Sequence, residues 1–266
     1  MRLVRMLLMI CAALMIAAAS LAQSPTLGFH SVACFKVKPE NSADFRKFAE
    51  GELQKIAQAR VDDGELTAFY LLRAVFPQGE SAECDYAVVT IFPKLPHAFS
   101  RDDLTAAIKQ AGLSIAPEDY VSHRNAVSTL ISTAVYQNVG LVGQAKKGDY
   151  FQVNYMRVTD DNFNDYIALE QKVWKPLAEQ YVKDGLEDGW SINVARMPIG
   201  SDLPYQVVTV DMFPTMDAVF ADDPKFVERF HKAHPDREIG TTFQQFGKLR
   251  VRSLVKLYVL ENLITK

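Results

Sequence analysis

Cysteine is scarce, with three residues in the whole chain of 266. One, Cys11, sits inside an apolar N-terminal run. The other two, Cys34 and Cys84, form no C-x-x-C pair, which excludes a dithiol redox motif and a cysteine zinc site. They leave open either a bridge, which an oxidising compartment permits, or a small buried side chain and a loop thiol. An excess of one charge is also missing: 29 basic residues face 32 acidic ones, for a net charge of −3. No basic stripe argues for nucleic acid and no acidic tail argues for disorder. Catalytic motifs are absent too. There is no Gly-rich phosphate loop, G-x-S-x-G elbow, H-E-x-x-H helix, or Ser/His/Asp or Cys/His set, so no motif names a reaction and no cofactor is expected. Beyond the N-terminus no apolar run is long enough to span a membrane.

What is present begins with residues 1–22. Arg2 and Arg5 precede an unbroken apolar stretch, Met6 to Ala19, and Ser20 and Ala22 put small residues at the −3 and −1 sites before Gln23. This is the pattern of a cleaved secretory signal peptide, and it predicts a periplasmic or secreted protein with no membrane contact after cleavage. Nearly half of the chain is apolar (48%) and under a quarter is charged (23%), the balance of a globular protein with a sizeable core.

The chain then reads as one pattern written twice. A strand over Thr26–Lys38 leads into an amphipathic helix ending at Asp62-Asp63-Gly64, where glycine stops it in a left-handed turn. A strand over Thr67–Phe76, a turn at Pro77-Gln78-Gly79 and a strand over Tyr86–Phe92 make a hairpin. Helical segments follow over Asp102–Ala111 and Pro117–Leu130, then a last strand within Ser132–Val142. The second pass runs from a strand at Phe151–Val158 through a helix over Asn162–Lys183, stopped at Gly185. A hairpin of Trp190–Met197 and Tyr205–Met212 follows, then helices at Asp223–Lys232 and Thr241–Leu249, and a closing strand at Val251–Leu260. Gly64 and Gly185 are 121 residues apart (185 − 64 = 121). Asp44 with Asp165, Phe45 with Tyr166, Pro77 with Pro198 and Phe92 with Phe213 share that spacing. Tyr86–Thr90 resembles Tyr205–Thr209 two residues out of step, which predicts two extra residues in the second copy before Phe213, as a bulge would supply.

The order β-α-β-β-α-β, twice, is that of two tandem ferredoxin-like units, an α+β fold. The expected domains are 1–22 signal peptide, 23–143 first unit and 144–266 second unit. Each sheet would leave one face bare of helices, so the two are expected to pack sheet to sheet as an intramolecular dimeric α/β barrel. An isolated half would then dimerise or aggregate. The second copy resembles uncharacterised secreted proteins of the dimeric α/β-barrel superfamily. The resemblance rests on Val173-Trp174-Lys175-Pro176, Asp184-Gly185, Gly189-Trp190, Tyr205–Thr209 and His231–Pro235. It implies a secreted small-molecule-binding protein, a cofactor-independent oxidoreductase of the monooxygenase kind being one form. The alternatives are a non-catalytic extracytoplasmic binding or assembly protein and a haem-binding protein. Haem enzymes of that superfamily use a histidine outside the sheet, which keeps His231 in view.

Candidate residues follow from strand alternation. In Phe151–Val158 the more apolar set is Asn154, Met156 and Val158, leaving Val153, Tyr155 and Arg157 opposite. In Tyr205–Met212 it is Val208, Val210 and Met212, leaving Tyr205, Thr209 and Asp211. In Val251–Val259 it is Val255, Leu257 and Val259, leaving Arg252, Lys256 and Tyr258. If the apolar sets meet the helices, the polar sets point into the barrel, joined by Asn193, and form a site for a small organic molecule. A buried Asp211 would need Arg252 or Lys256 as partner. His231 and His234 share a helix face, but no third ligand is placed to complete a metal site. Trp174 and Trp190 read as core, because the aligned Leu53 and Phe69 keep only their bulk. Pro176, inside a helical pattern, should kink the helix near Lys172.

Overall fold

Alternation builds the first strand. Of β1 (Phe29–Lys36), Phe35 joins the helix-side core while His30, Val32 and Cys34 turn to the other face. The computed structural model describes residues 28–80, 82–200 and 203–266. The expected signal peptide and its cleavage point lie outside these residues.

After β1 comes α1 (Ser42–Phe48), a single π turn over Ala49–Leu53, and α2 (Gln54–Asp62). Phe45, Phe48, Ala49, Ile56 and Val61 make its buried stripe. Gly64 ends it at φ 82°. Strands β2 (Ala68–Phe76) and β3 (Tyr86–Phe92) form the hairpin. Helix α3 (Arg101–Gln110) opens on a capping box in which Ser100 and Asp103 satisfy each other's backbone N–H. Helix α4 (Pro117–Val127) leads into β4 (Thr129–Gly143). The second pass is β5 (Tyr150–Val158), α5 (Phe163–Leu169), a π turn over Glu170–Trp174, α6 (Lys175–Lys183), β6 (Gly189–Met197) and β7 (Val207–Phe213). It closes with α7 (Met216–Phe220), α8 (Phe226–Ala233), α9 (Ile239–Leu249) and β8 (Arg250–Thr265). The disturbance expected at Lys172 is the π turn. The same turn over Ala49–Leu53 has Lys55 in place of proline, so it belongs to the fold and not to Pro176.

The eight strands close one barrel in the order β1-β3-β2-β8-β5-β7-β6-β4. The expectation of two sheets laid face to face is refined here. The two four-stranded stretches join along their edges, β2 to β8 and β4 to β6, and the faces oppose only across the lumen. Closure leaves no unpaired edge among these strands. The long β4 and β8, of 15 and 16 residues, make it possible, since each pairs with a strand of both stretches.

Pairing repeats at one spacing. Phe35 pairs Tyr86, and Met156 pairs Val207, each 121 residues on (156 − 35 and 207 − 86). Phe29 with Phe92 and Tyr150 with Phe213 keep it. The predicted two-residue insertion before Phe213 is therefore not there: Tyr86 corresponds to Val207, and the likeness of Tyr86–Thr90 to Tyr205–Thr209 is out of register. Register follows the backbone ladder, and a run of apolar and Thr residues resembles itself at several offsets. Gly143 ends β4 at φ 68°, where a Cβ would lie 2.1 Å from the Asp188 carbonyl oxygen, so only glycine lets the chain leave β4 there.

Three cores result. Phe45, Phe48, Phe69, Tyr86 and Tyr120 seal the helices of the first half to the wall. Tyr166, Val173, Leu177, Trp190, Phe230 and Phe246 do so in the second. Trp190 is fully buried and Trp174 packs edge-on to Phe243 and Phe246, so both tryptophans are core. The third cluster, with Leu72, Val89, Phe151, Met212 and Leu260, lies inside the barrel.

Candidate functional site in the barrel

The lumen is packed at one level and open at another. A cavity of about 210 Å³ remains, walled by apolar residues such as Val32, Leu72, Val89, Val153, Val208 and Val210. Polar groups converge on it from both halves. His30 stacks on Tyr136 with ring centroids 5.3 Å apart. The Tyr136 hydroxyl is 3.4 Å from that of Tyr205, whose ring meets Tyr155 edge-on at 4.5 Å. Tyr258 completes the belt. Lys256 reaches over the Tyr155 ring, its Nζ 5.2 Å from the centroid, and donates to Glu83 Oε2 at 2.6 Å. On the neighbouring wall the Asn138 amide donates to Asn193 Oδ1 at 3.0 Å, and the Asn193 amide donates to Ser191 Oγ at 3.0 Å.

Burial sets the protonation of this belt. Desolvation lowers His30 to about 4, so its ring is neutral at neutral pH. His30 keeps some free surface, but that surface faces the cavity and not bulk water. Its side chain lines the cavity and makes no hydrogen bond among the described residues. Desolvation pushes Tyr136, Tyr155 and Tyr258 above the ordinary tyrosine range. They stay protonated and are hydrogen-bond donors.

Cys34 and Cys84 are bridged, with Cα atoms 5.3 Å apart, and the bridge faces the cavity. The positions 121 residues on are Tyr155 and Tyr205. A covalent cross-link in one half stands where an aromatic pair stands in the other.

Of the residues expected in the site, Tyr155, Asn193, Lys256 and Tyr258 line the cavity. Arg157 and Arg252 do not: both are exposed. His231 is exposed on α8, while His234 is buried and bonded to the Val173 carbonyl at 2.8 Å. No group of three or more His, Cys, Asp or Glu is placed to hold a metal among the described residues.

Thr209 and Asp211 require the largest correction. Both are buried, but Val208, Val210 and Met212 face the lumen, so Thr209 and Asp211 lie on the helix side of β7. Asn154 donates to Asp211 Oδ2 at 2.8 Å. The Arg252 charge acts on Asp211 from the surface, whereas Lys256 is engaged with Glu83 inside the barrel. The reading failed because both faces of this strand are covered, one by helices and one by the opposite wall. Polarity does not separate two buried faces.

Asp211 belongs to a second polar cluster under α5 and α6. Glu170 leaves the π turn and accepts from the Tyr166 hydroxyl at 2.6 Å. Burial raises Glu170 to about 7 and also raises Asp211 and Glu187, the last helped by the Asp211 charge. One oxygen of each has no partner among the described residues.

His30, Tyr136 and Glu83 were missed. A histidine in step with Val32 and Cys34, on the face of β1 away from Phe35, was the available signal for the first. Tyr136 and Glu83 gave none, since their place depends on β4 and the hairpin loop folding over the same barrel end.

No protein-family profile matches the chain, and no curated protein does. Solved structures do match in fold. A monooxygenase-like protein from Lactobacillus acidophilus NCFM aligns over 90% of this chain and 96% of its own, at 10% identity and a TM-score of 0.55. Another, from Fusobacterium nucleatum subsp. nucleatum, aligns over 91% and 96%, at 8% identity and 0.56. A haem-binding protein from Thermus thermophilus covers 88% and 91%, at 8% identity and 0.50. These likenesses define the class of fold: an α+β chain closing an eight-stranded barrel of the dimeric α/β-barrel type.

Proposed function

We propose that the protein binds a small, flat, largely apolar organic molecule inside the barrel, and that its oxidation without a resident cofactor is the enzymatic form of that role. The observation that carries this reading is the lumen cavity, apolar in its walls, with His30 and the tyrosine hydroxyls turned into it. The monooxygenase-like neighbours support the oxidative form. His30, neutral and with no hydrogen-bond partner among the described residues, is the group placed to accept a proton from an acidic C–H or O–H of the bound molecule. The lumen itself is small for haem: its cavity of about 210 Å³ falls below the roughly 300 Å³ at which sites for drug-sized ligands begin.

We also read the chain as two ferredoxin-like units, 23–143 and 144–266, exported after loss of residues 1–22. The 121-residue recurrence of strand pairing supports the first point. The Cys34–Cys84 bridge, at home in an oxidising compartment, supports the second.

The test is a fluorescence and thermal-shift titration of the mature chain with 2-naphthol, followed by oxygen uptake with anthrone. Ala134→Phe, which fills the cavity, should abolish naphthol binding while the protein stays folded. His30→Ala should remove oxygen uptake. Naphthol binding that survives Ala134→Phe overturns the site, and uptake that survives His30→Ala overturns the proton-accepting role.

A further inference from the structure

We infer that the barrel's ligand is a monoanion, an aromatic carboxylate or its like, and that Glu83 occupies the place of its charged group until the ligand arrives. The inference rests on the cavity reading above.

The two partners of the Lys256–Glu83 pair are unequal. The Lys256 side chain is only 8% exposed, whereas that of Glu83 is 52% exposed. A buried ammonium needs a countercharge, because desolvation without one is costly. A half-exposed carboxylate needs none, since water replaces the lysine as it swings out. Among the described residues the Glu83 carboxylate has no other hydrogen bond, while its backbone is fixed beside the bridged Cys84. The carboxylate is therefore free to turn on an anchored main chain.

The lining makes an anion the fitting replacement. Lys256 and Glu83 are the only residues of full charge among those described around the cavity, with His30 held neutral. A ligand carboxylate that displaces Glu83 conserves the charge balance of the lumen. A cation would meet the ammonium, and a neutral molecule would leave the existing pair in place. Near Lys256 the other groups offered are donors, the buried hydroxyls of Tyr155 and Tyr258, and the Tyr155 face already supports the ammonium.

The experiment compares benzoate, benzyl alcohol and benzylamine at pH 7 in calorimetric and thermal-shift titrations of the full mature chain, wild type against Glu83→Gln and Lys256→Met. Benzoate should bind the wild type at least about tenfold tighter than benzyl alcohol. Glu83→Gln should tighten benzoate about three- to tenfold by removing its internal competitor and leave benzyl alcohol unchanged. It should also lower the ligand-free melting midpoint, and benzoate should restore that midpoint. Lys256→Met, a substitution of similar volume, should erase the preference for benzoate. Weaker benzoate binding by Glu83→Gln overturns the inference even if Lys256→Met does not fold. So does equal binding of all three probes. Binding of benzyl alcohol alone refutes the anion but keeps the cavity, whereas no binding of any probe refutes both.

Discussion

Beneath α1 and α2 the positions that matter are Ala49, Leu66 and Thr90. The positions 121 residues on, beneath α5 and α6, are Glu170, Glu187 and Asp211. The backbone is the same in both places: Ala49 and Glu170 each open a π turn. Phe45 and Tyr166, one turn before, are both buried. The first half fills the space with apolar groups and a Ser31–Thr90 hydroxyl pair at 2.6 Å. The second fills it with acids, and copes by adding one hydroxyl, that of Tyr166, one amide, that of Asn154, and a shift of the carboxyls toward their protonated forms. One frame thus supports an inert shell and a pH-responsive one, with the difference confined to a few side chains. The lumen shows the same contrast, with the Cys34–Cys84 cross-link opposite the Tyr155–Tyr205 ring pair.

Moving the acid across is the harshest way to break this comparison. Ala49→Glu puts a carboxyl at a site 1% exposed, beside Phe45, which lacks the hydroxyl that Tyr166 offers Glu170. The expected cost is above about 4 kcal/mol in denaturant unfolding. Adding Phe45→Tyr should recover part of it. A cost below about 1 kcal/mol, or no recovery, would mean that the Tyr166–Glu170 contact is not what makes the second half tolerant.

The lumen contrast comes next. Cys34→Ala with Cys84→Ala opens a loop closed across 50 residues and should cost about 4 kcal/mol on chain-entropy grounds. Tyr155→Phe with Tyr205→Phe keeps the rings and should cost about 1 kcal/mol or less. Equal losses would show that the two hydroxyls hold the second half of the lumen as strongly as the cross-link holds the first.

The smallest effect sharpens the pH difference. Glu170 is raised from 4.5 to about 7 in the folded chain. A raised carboxyl binds more protons folded than unfolded, so its contribution is fully present below pH 4.5 and is lost as pH rises through about 7. That loss amounts to about 3 kcal/mol. Glu170→Gln should therefore flatten the fall in stability between pH 5 and 7, and the first half offers no counterpart to mutate. An unchanged slope in urea unfolding across that range would remove Glu170 as its source.

Much of the frame was legible in the chain. Alternation in β1 and β5, the helical stripe through Phe45 and Phe48, and glycine stops at Gly64 and Gly185 are local patterns, decided by sterics and by which side chains share a face. The 121-residue spacing of Gly64 and Gly185 is also the spacing of the strand pairs Phe35–Tyr86 and Met156–Val207. The candidate site was legible only where a strand has one polar face. Tyr155, Lys256 and Tyr258 lie on the lumen face expected for them, whereas Asp211 and Thr209 lie on the helix side because β7 is covered on both sides.

By itself, then, the sequence determined most of the elements and their order, because backbone preference and hydrophobic period act over a few residues. Only the tertiary structure decided that β2 meets β8 and β4 meets β6, that Cys34 reaches Cys84, and that Glu83 folds over a barrel end to meet Lys256. Those partners lie far apart along the chain, 173 residues for the last pair. No local signal encodes them. They are set by closure of the barrel, which satisfies every strand edge at once and so brings remote side chains into one lumen.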